Sequence, residues 1–218
     1  MGIRPVPMSA RPTLSRLWRR LRASMQPQPI ATREALQVFL EERALLIAQK
    51  CAIDYCRGKT GLASYALFSE KPFLDALYVC RWESFEAVLG DLVILTEGWL
   101  RPHAGPQMHP RLCAALLGLH SDILARAPVP AHRPQGWGDS IASFAARFGT
   151  ASTKAPQKAV QVADHSARRL FDTLPIHASM RRLDEEVVYG AVRFRMVAVN
   201  QELQRRLAAS EVVRQLIG

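Results

Sequence analysis

Prolines and glycines cut this chain into segments, and inside each segment the apolar residues return every three or four positions rather than every two. A period near 3.6 with no sustained alternation restricts the chain to helices packed on helices, because a strand needs strict alternation to bury one face. Thr32 is placed to cap a helix running to about Arg57, with Gly58 suited to a left-handed stop. A second helix is predicted from about Pro72 to Glu97, ending at Gly98. Residues 102–110, with prolines at 102, 106 and 110, are predicted to form a loop, and Pro110 then opens a third helix to about Arg126. Residues 127–138, rich in proline and glycine, are the best candidate for an internal linker. Asp139 caps a short helix to about Phe148, and Pro156 opens another that must end before Pro175. The last long helix starts near Asp184 and reaches Leu207, with a further turn from Glu211. No internal repeat is present. The expectation is an all-α protein: a single helical domain of six to seven helices over residues 31–218, with residues 1–30 standing apart as a basic segment.

That segment holds most of the charge. Residues 1–33 carry seven arginines and no Lys, Asp or Glu, so they supply +7 of the formal +10 and leave about +3 for the rest. Leu14, Leu17, Trp18 and Leu21 fall at i, i+3, i+4 and i+7, with Thr13 as a cap, which predicts a basic amphipathic helix. Arg16, Trp18, Arg19, Arg20 and Arg22 would be its surface-binding residues. Such a helix can lie on an anionic membrane surface, grip nucleic-acid phosphates, dock in a partner's groove or pack on its own domain. Arg-rich, acid-free and amphipathic also describes a mitochondrial presequence, whereas a secretory signal would need an apolar core that is missing.

At 218 residues, 49% hydrophobic and 22% charged, the chain has the composition of a folded protein rather than a disordered one. Its apolar runs are broken well short of the roughly 18 residues that a membrane span needs. Cys51, Cys56, Cys80 and Cys113 show no Cys-x-x-Cys pair, which argues against a zinc knuckle or disulfide framework and for buried thiols in a reducing compartment. The expected location is the cytoplasm, peripheral to a membrane if the tail binds one, with the mitochondrial matrix as the alternative in a eukaryote.

Catalytic motifs fail on inspection. Gly58-Lys59-Thr60 resembles the end of a phosphate-binding loop, but Ile53 stands where its first glycine is needed and a helix where its strand is needed. Ser140, after Gly138 and Asp139, would be a nucleophile without a base. The histidines are scattered, with His103, His109 and His132 expected in loops, and neither Glu-x-x-His nor His-Glu-x-x-His occurs. No metal and no cofactor are therefore expected. Glu83, Glu86 and Glu97 fall within about 60° of one another on the second helix and are read as one solvated stripe, which could pair with the arginine tail as a latch. The tryptophans are too dispersed for a base-stacking platform.

The candidate ligand-binding residues are charges set inside apolar faces. Arg43, Lys50 and Asp54 share a face of the first helix with Leu36, Phe39, Leu40, Ile47 and Cys51, and Arg195 falls between Val188, Val192, Val199 and Leu203 on the last. Buried, such groups must be paired or must hold an anionic ligand. The leading expectation is a non-enzymatic interaction protein (adaptor, assembly factor or regulator) attached through its N-terminus to an anionic surface or a protein partner. The alternatives are a helical protein or enzyme holding an anionic small molecule with the Arg43, Lys50, Asp54 and Arg195 cluster, and a nucleic-acid-binding protein.

Overall fold

The computed structural model describes residues 28–218. The predicted basic helix, with Arg16, Trp18, Arg19, Arg20 and Arg22, lies outside the described residues. The elements are α1 (Arg33–Thr60), a short 3-10 turn (Gly61–Ala63), α2 (Ser64–Leu67), α3 (Lys71–Arg126), α4 (Gly138–Ser152), α5 (Ala159–Thr173), α6 (Ala178–Arg181), α7 (Glu185–Arg206) and α8 (Ala209–Ile217). The fold is all-α, as predicted. Apart from one backbone bridge, in which Ile30 N–H donates to Arg206 and Ala208 N–H donates to Ile30, the described residues form no strand pairing.

Thr32 caps α1 as its sequence position implies, its hydroxyl accepting from the Ala35 N–H at 3.1 Å. The stop comes three residues later than predicted, because Gly58 is helical and Gly61, at φ 51, provides the left-handed turn. The predicted loop at 102–110 is a sharper correction. Helix α3 continues through Pro102, breaks only at Gly105 (φ 70, ψ 166) and resumes at once. Pro106 then occupies the first turn of the resumed helix, where its missing N–H leaves no helical bond unmade.

α3 is the centre of the molecule and packs against α1, α4, α5, α7 and α8, while α7 also packs against α5 and α1. Its stretch from residue 83 to 97 is buried around nearly the whole circumference, Glu86 alone being partly open. The stripe of Glu83, Glu86 and Glu97 is therefore not solvated: Glu83 and Glu97 are 4% and 3% exposed. A helix surrounded on all sides has no solvent face to give to its acids, so their positions became interior ones. The proline-rich stretch between α3 and α4 also packs inward. Trp137 is buried, its ring centroid 6.2 Å from that of Trp82, and Arg133 lies over Trp137 at 4.9 Å.

Candidate functional site

The four candidate residues read from the sequence lie along the antiparallel seam of α1 and α7, each committed to a partner within the chain. Arg43 donates two hydrogen bonds of 2.8 Å to Glu202, which also accepts from Arg206. Asp54 accepts from Arg195 at 2.8 Å and pairs with Lys50 at 3.3 Å. Further along the seam Asp184 accepts from Tyr55 at 2.8 Å and from Lys59 at 2.6 Å. Arg43 is thus drawn to Glu202, away from the group formed by Lys50, Asp54 and Arg195. All four candidates sit at the edges of their faces. The buried face of α1 is centred on Leu40, Ala44, Ile47 and Cys51, so Arg43, Lys50 and Asp54 are turned roughly 60° or more from its middle.

Polar groups converge instead around the acids of α3. Glu83 accepts from Arg133 at 2.5 and 2.8 Å, from His132 at 2.8 Å and from Arg169. Burial alone would raise its pKa, but the hydrogen bonds from Arg133 and His132 and the charges of Arg169 and Arg133 overcome it and hold the carboxyl down to about 2. Asp91, fully buried, accepts from Arg147 at 2.6 Å and from the Ser166 N–H at 3.1 Å. Burial nonetheless pushes its pKa upward, against the pull of those two partners. Between these acids lies Glu86. Burial pushes its pKa up to about 7; Arg147, Arg133 and Arg169 pull it down through space, and Glu83 pushes it further up.

Glu86 opens into a cleft of about 250 Å³ between α3, α4 and α5, lined also by Arg133, Ser140, Ser143, Arg147, His165 and Arg169 and by the carboxylate of Asp139, which Arg133 already holds at 2.9 Å. No protein-family model, curated protein or solved structure matches this chain. The chemistry of the cleft rests on its own residues. A guanidinium carries five N–H donors. Arg147 and Arg169 each give one to an acid of α3, and their other N–H groups have no acceptor among the described residues, although Arg147 Nη2 lies against Gly90. His165 on the rim is held below its ordinary pKa, by partial burial first and then by Arg147 and Arg169, so it stands neutral. An apolar groove of about 510 Å³ beside Trp99 and Asn200 has Lys158 as its one charged lining residue, and offers no comparable chemistry.

His120, also on α3, has both ring nitrogens buried without a partner and stacks on Phe144 with centroids 3.9 Å apart. Burial and the nearby Arg147 depress its pKa to about 3. It stays an uncharged imidazole wedged under the arginine that grips Asp91.

Of the three predicted loop histidines only His132 lies in a loop, and all three are hydrogen-bonded, although His103 stays exposed. His132 holds Glu83, His103 lies on α3 with Nδ1 3.0 Å from the Ser210 hydroxyl, and His109 lies on α3 with Nε2 2.6 Å from Glu97 and 3.4 Å from the Cys113 sulfur. Cys51, Cys56 and Cys80 are buried free thiols, and burial pushes all three above their ordinary range; Cys113 is only half-buried. Among the described residues, Glu97, His109 and Cys113 form the group whose atoms could serve one metal ion. A latch between the glutamate stripe and the arginine tail would have to displace Arg133, Arg169 and Arg101, which already hold Glu83 and Glu97.

Sequence inspection missed Arg133, Arg147 and Arg169 because they come from a loop and two different helices, with no spacing that links them. The signal that could have found them is demand. Acids on a helix too apolar to have a wet face need cations from elsewhere in the chain.

Proposed function

We propose that this protein binds a small oxyanion, carboxylate or phosphate in class, in the cleft between α3, α4 and α5. The observation that carries the reading is the placing of two arginines with donors to spare, Arg147 and Arg169, around one cleft with the carboxyl of Glu86, whose pKa burial raises. An arriving anion takes the free guanidinium donors. Its negative charge drives a proton onto Glu86, which changes from a repelling carboxylate into a hydrogen-bond donor. Ser140 and Ser143 supply further hydroxyl donors at the start of α4.

The test is calorimetric titration with sulfate, whose charge is constant around neutrality, and with acetate, in buffers of different ionisation enthalpy. Binding takes up a proton, and affinity falls by up to about tenfold for each pH unit above 7. Glu86→Gln flattens that dependence and Arg169→Gln weakens binding about tenfold or more. Titrations that show no binding of either anion, or the same affinity in the Arg169→Gln variant, refute the reading.

A second reading keeps the chain as a non-enzymatic interaction protein attached through its arginine-rich N-terminus to an anionic membrane or a protein partner. It is supported by the charge of residues 1–33 and by the exposure of Leu62, Tyr65, Leu183 and Phe194 on the helical body. Anionic liposomes, neutral liposomes and duplex DNA, presented to the full chain and to a form starting at Ile30, separate these targets. Loss of binding on truncation supports attachment, and equal binding by both forms rejects it. Binding to DNA alone selects the nucleic-acid alternative.

A further inference from the structure

We infer that Glu97, His109 and Cys113 form a binding site for a transition-metal dication of the zinc class, with an open coordination position facing the cleft beside the Gly105 break. The candidate ligand atoms, a Glu97 carboxylate oxygen, His109 Nε2 and Cys113 Sγ, all lie within 4.8 Å of one another. Tetrahedral coordination with bonds of about 2.0 to 2.3 Å sets donor atoms roughly 3.3 to 3.8 Å apart. The 3.4 Å between His109 and Cys113 already meets that spacing. The 2.6 Å between His109 and Glu97 needs to open by less than about 1 Å, well within a side-chain adjustment.

The arrangement suits a metal better than a thiol relay. A thiol, imidazole and carboxylate working as a catalytic relay engage opposite nitrogens of the ring, the thiol on one and the carboxylate on the other. Here both partners approach Nε2, so the three groups converge on one point. The backbone builds this convergence from two pieces of one helix. His109 and Cys113 stand four residues apart after the break, on one face of the resumed helix. Glu97 projects from the helix before it, and Gly105 at φ 70 makes the junction.

Arg101 completes the site as a positioning residue. It donates to both oxygens of Glu97 at 2.7 Å and to the Lys154 carbonyl at 2.6 Å. When a metal takes Oε1, Arg101 keeps Oε2 and the carbonyl, and so holds the carboxylate in orientation, as outer-shell partners of metal ligands do. Thiolate with imidazole selects zinc, cobalt or another borderline metal over magnesium or calcium. Three protein ligands beside a cleft of about 950 Å³, lined by Pro102, Pro106, Ser152 and Thr153 as well, match an open zinc site rather than a closed structural one. These residues are distinct from those of the α3–α4–α5 cleft, so the oxyanion reading and this one can fail separately.

The test uses the untagged full chain, stripped with a chelator and titrated with Zn²⁺ against a chromophoric competitor, then loaded with Co²⁺. The expected result is one metal per chain and a near-ultraviolet thiolate-to-cobalt band. Cys113→Ser abolishes that band, and Cys113→Ser and His109→Gln each lower zinc affinity by more than about 100-fold, while Arg101→Gln lowers it about tenfold. Circular dichroism of each metal-free variant checks that it folds; Cys113 is half-exposed, so its serine variant decides should His109→Gln misfold. Failure to take up stoichiometric zinc, equal affinity in the wild type and Cys113→Ser, or a cobalt spectrum without the thiolate band overturns the site.

Discussion

Replacing Glu86 with glutamine should stabilise the protein at pH 8 and only about a quarter as much at pH 5. A carboxyl that ordinarily titrates at 4.5 is held up to about 7 in the fold. Between those values the folded state keeps a proton that the unfolded state has released, so Glu86 makes stability fall as pH rises through that window. At about 1.4 kcal/mol per pH unit the accumulated cost is about 3 kcal/mol once the group is ionised. Solvent at the mouth of the cleft screens part of this, and about 2 kcal/mol is the expected gain for Glu86→Gln at pH 8. Glutamine keeps the shape and removes the ionisation. The assay is urea unfolding followed by circular dichroism at pH 5, 6, 7 and 8 and constant ionic strength, with m-values compared to confirm the same transition. Contributions from His120 and Asp91 are common to both proteins and largely cancel in the difference. A difference that stays constant across pH, or a Glu86→Gln protein that is less stable at pH 8, would refute the account of the cleft.

Glu83→Gln should do the opposite three residues away. Its carboxylate is held down to about 2 by Arg133, His132 and Arg169, so its contribution is present above about 4.5 and lost as pH falls toward 2. The substitution removes the charge shared by Arg133 and Arg169, but Arg133 keeps Asp139 and Arg169 is 43% exposed, so the expected cost is about 1 to 3 kcal/mol at pH 7, read by the same unfolding assay. His120→Leu removes two unpartnered ring nitrogens and should raise stability by about 1 kcal/mol at pH 7. The gain grows as pH falls below 6.5, because the depressed pKa makes the wild type lose stability there. Gly105→Ala forces a side chain into φ 70 and should cost about 1 to 2 kcal/mol in a melting experiment, while weakening zinc binding by moving Glu97 relative to His109.

The helical content was legible because breakers and periodicity act locally. Thr32 caps its helix with its own hydroxyl whatever the rest of the chain does. What escaped was context. Three prolines over nine residues read as a loop, yet one glycine absorbs the whole irregularity and Pro106 finds a first turn to occupy. Likewise the buried face of α1 is shifted by Ala44, Ala48 and Ala52, which a reading weighted toward large apolar side chains passes over. The displaced charges Arg43, Lys50 and Asp54 therefore mark the edge of a seam, each with a counter-charge on α1 or α7.

The acids of α3 were harder to read for a physical reason. An amphipathic pattern assumes that a helix has one wet face, and a helix packed by five others has none over its central stretch. Each acid then needs a cation that only tertiary structure can bring, and the supply is unequal: Glu83 receives two arginines and a histidine, Glu97 an arginine and a histidine, Asp91 one arginine and a backbone N–H. Glu86 is where that supply runs short. Structural ion pairing accounts for the satisfied acids, because removing either partner leaves a buried charge. It does not account for keeping a carboxyl near neutrality beside two arginines with donors to spare, since a glutamine there would be more stable at physiological pH. A carboxyl whose pKa is raised beside an open cleft is the kind of group that the proposed anion binding would use, and the pH dependence of the Glu86→Gln variant decides whether it does.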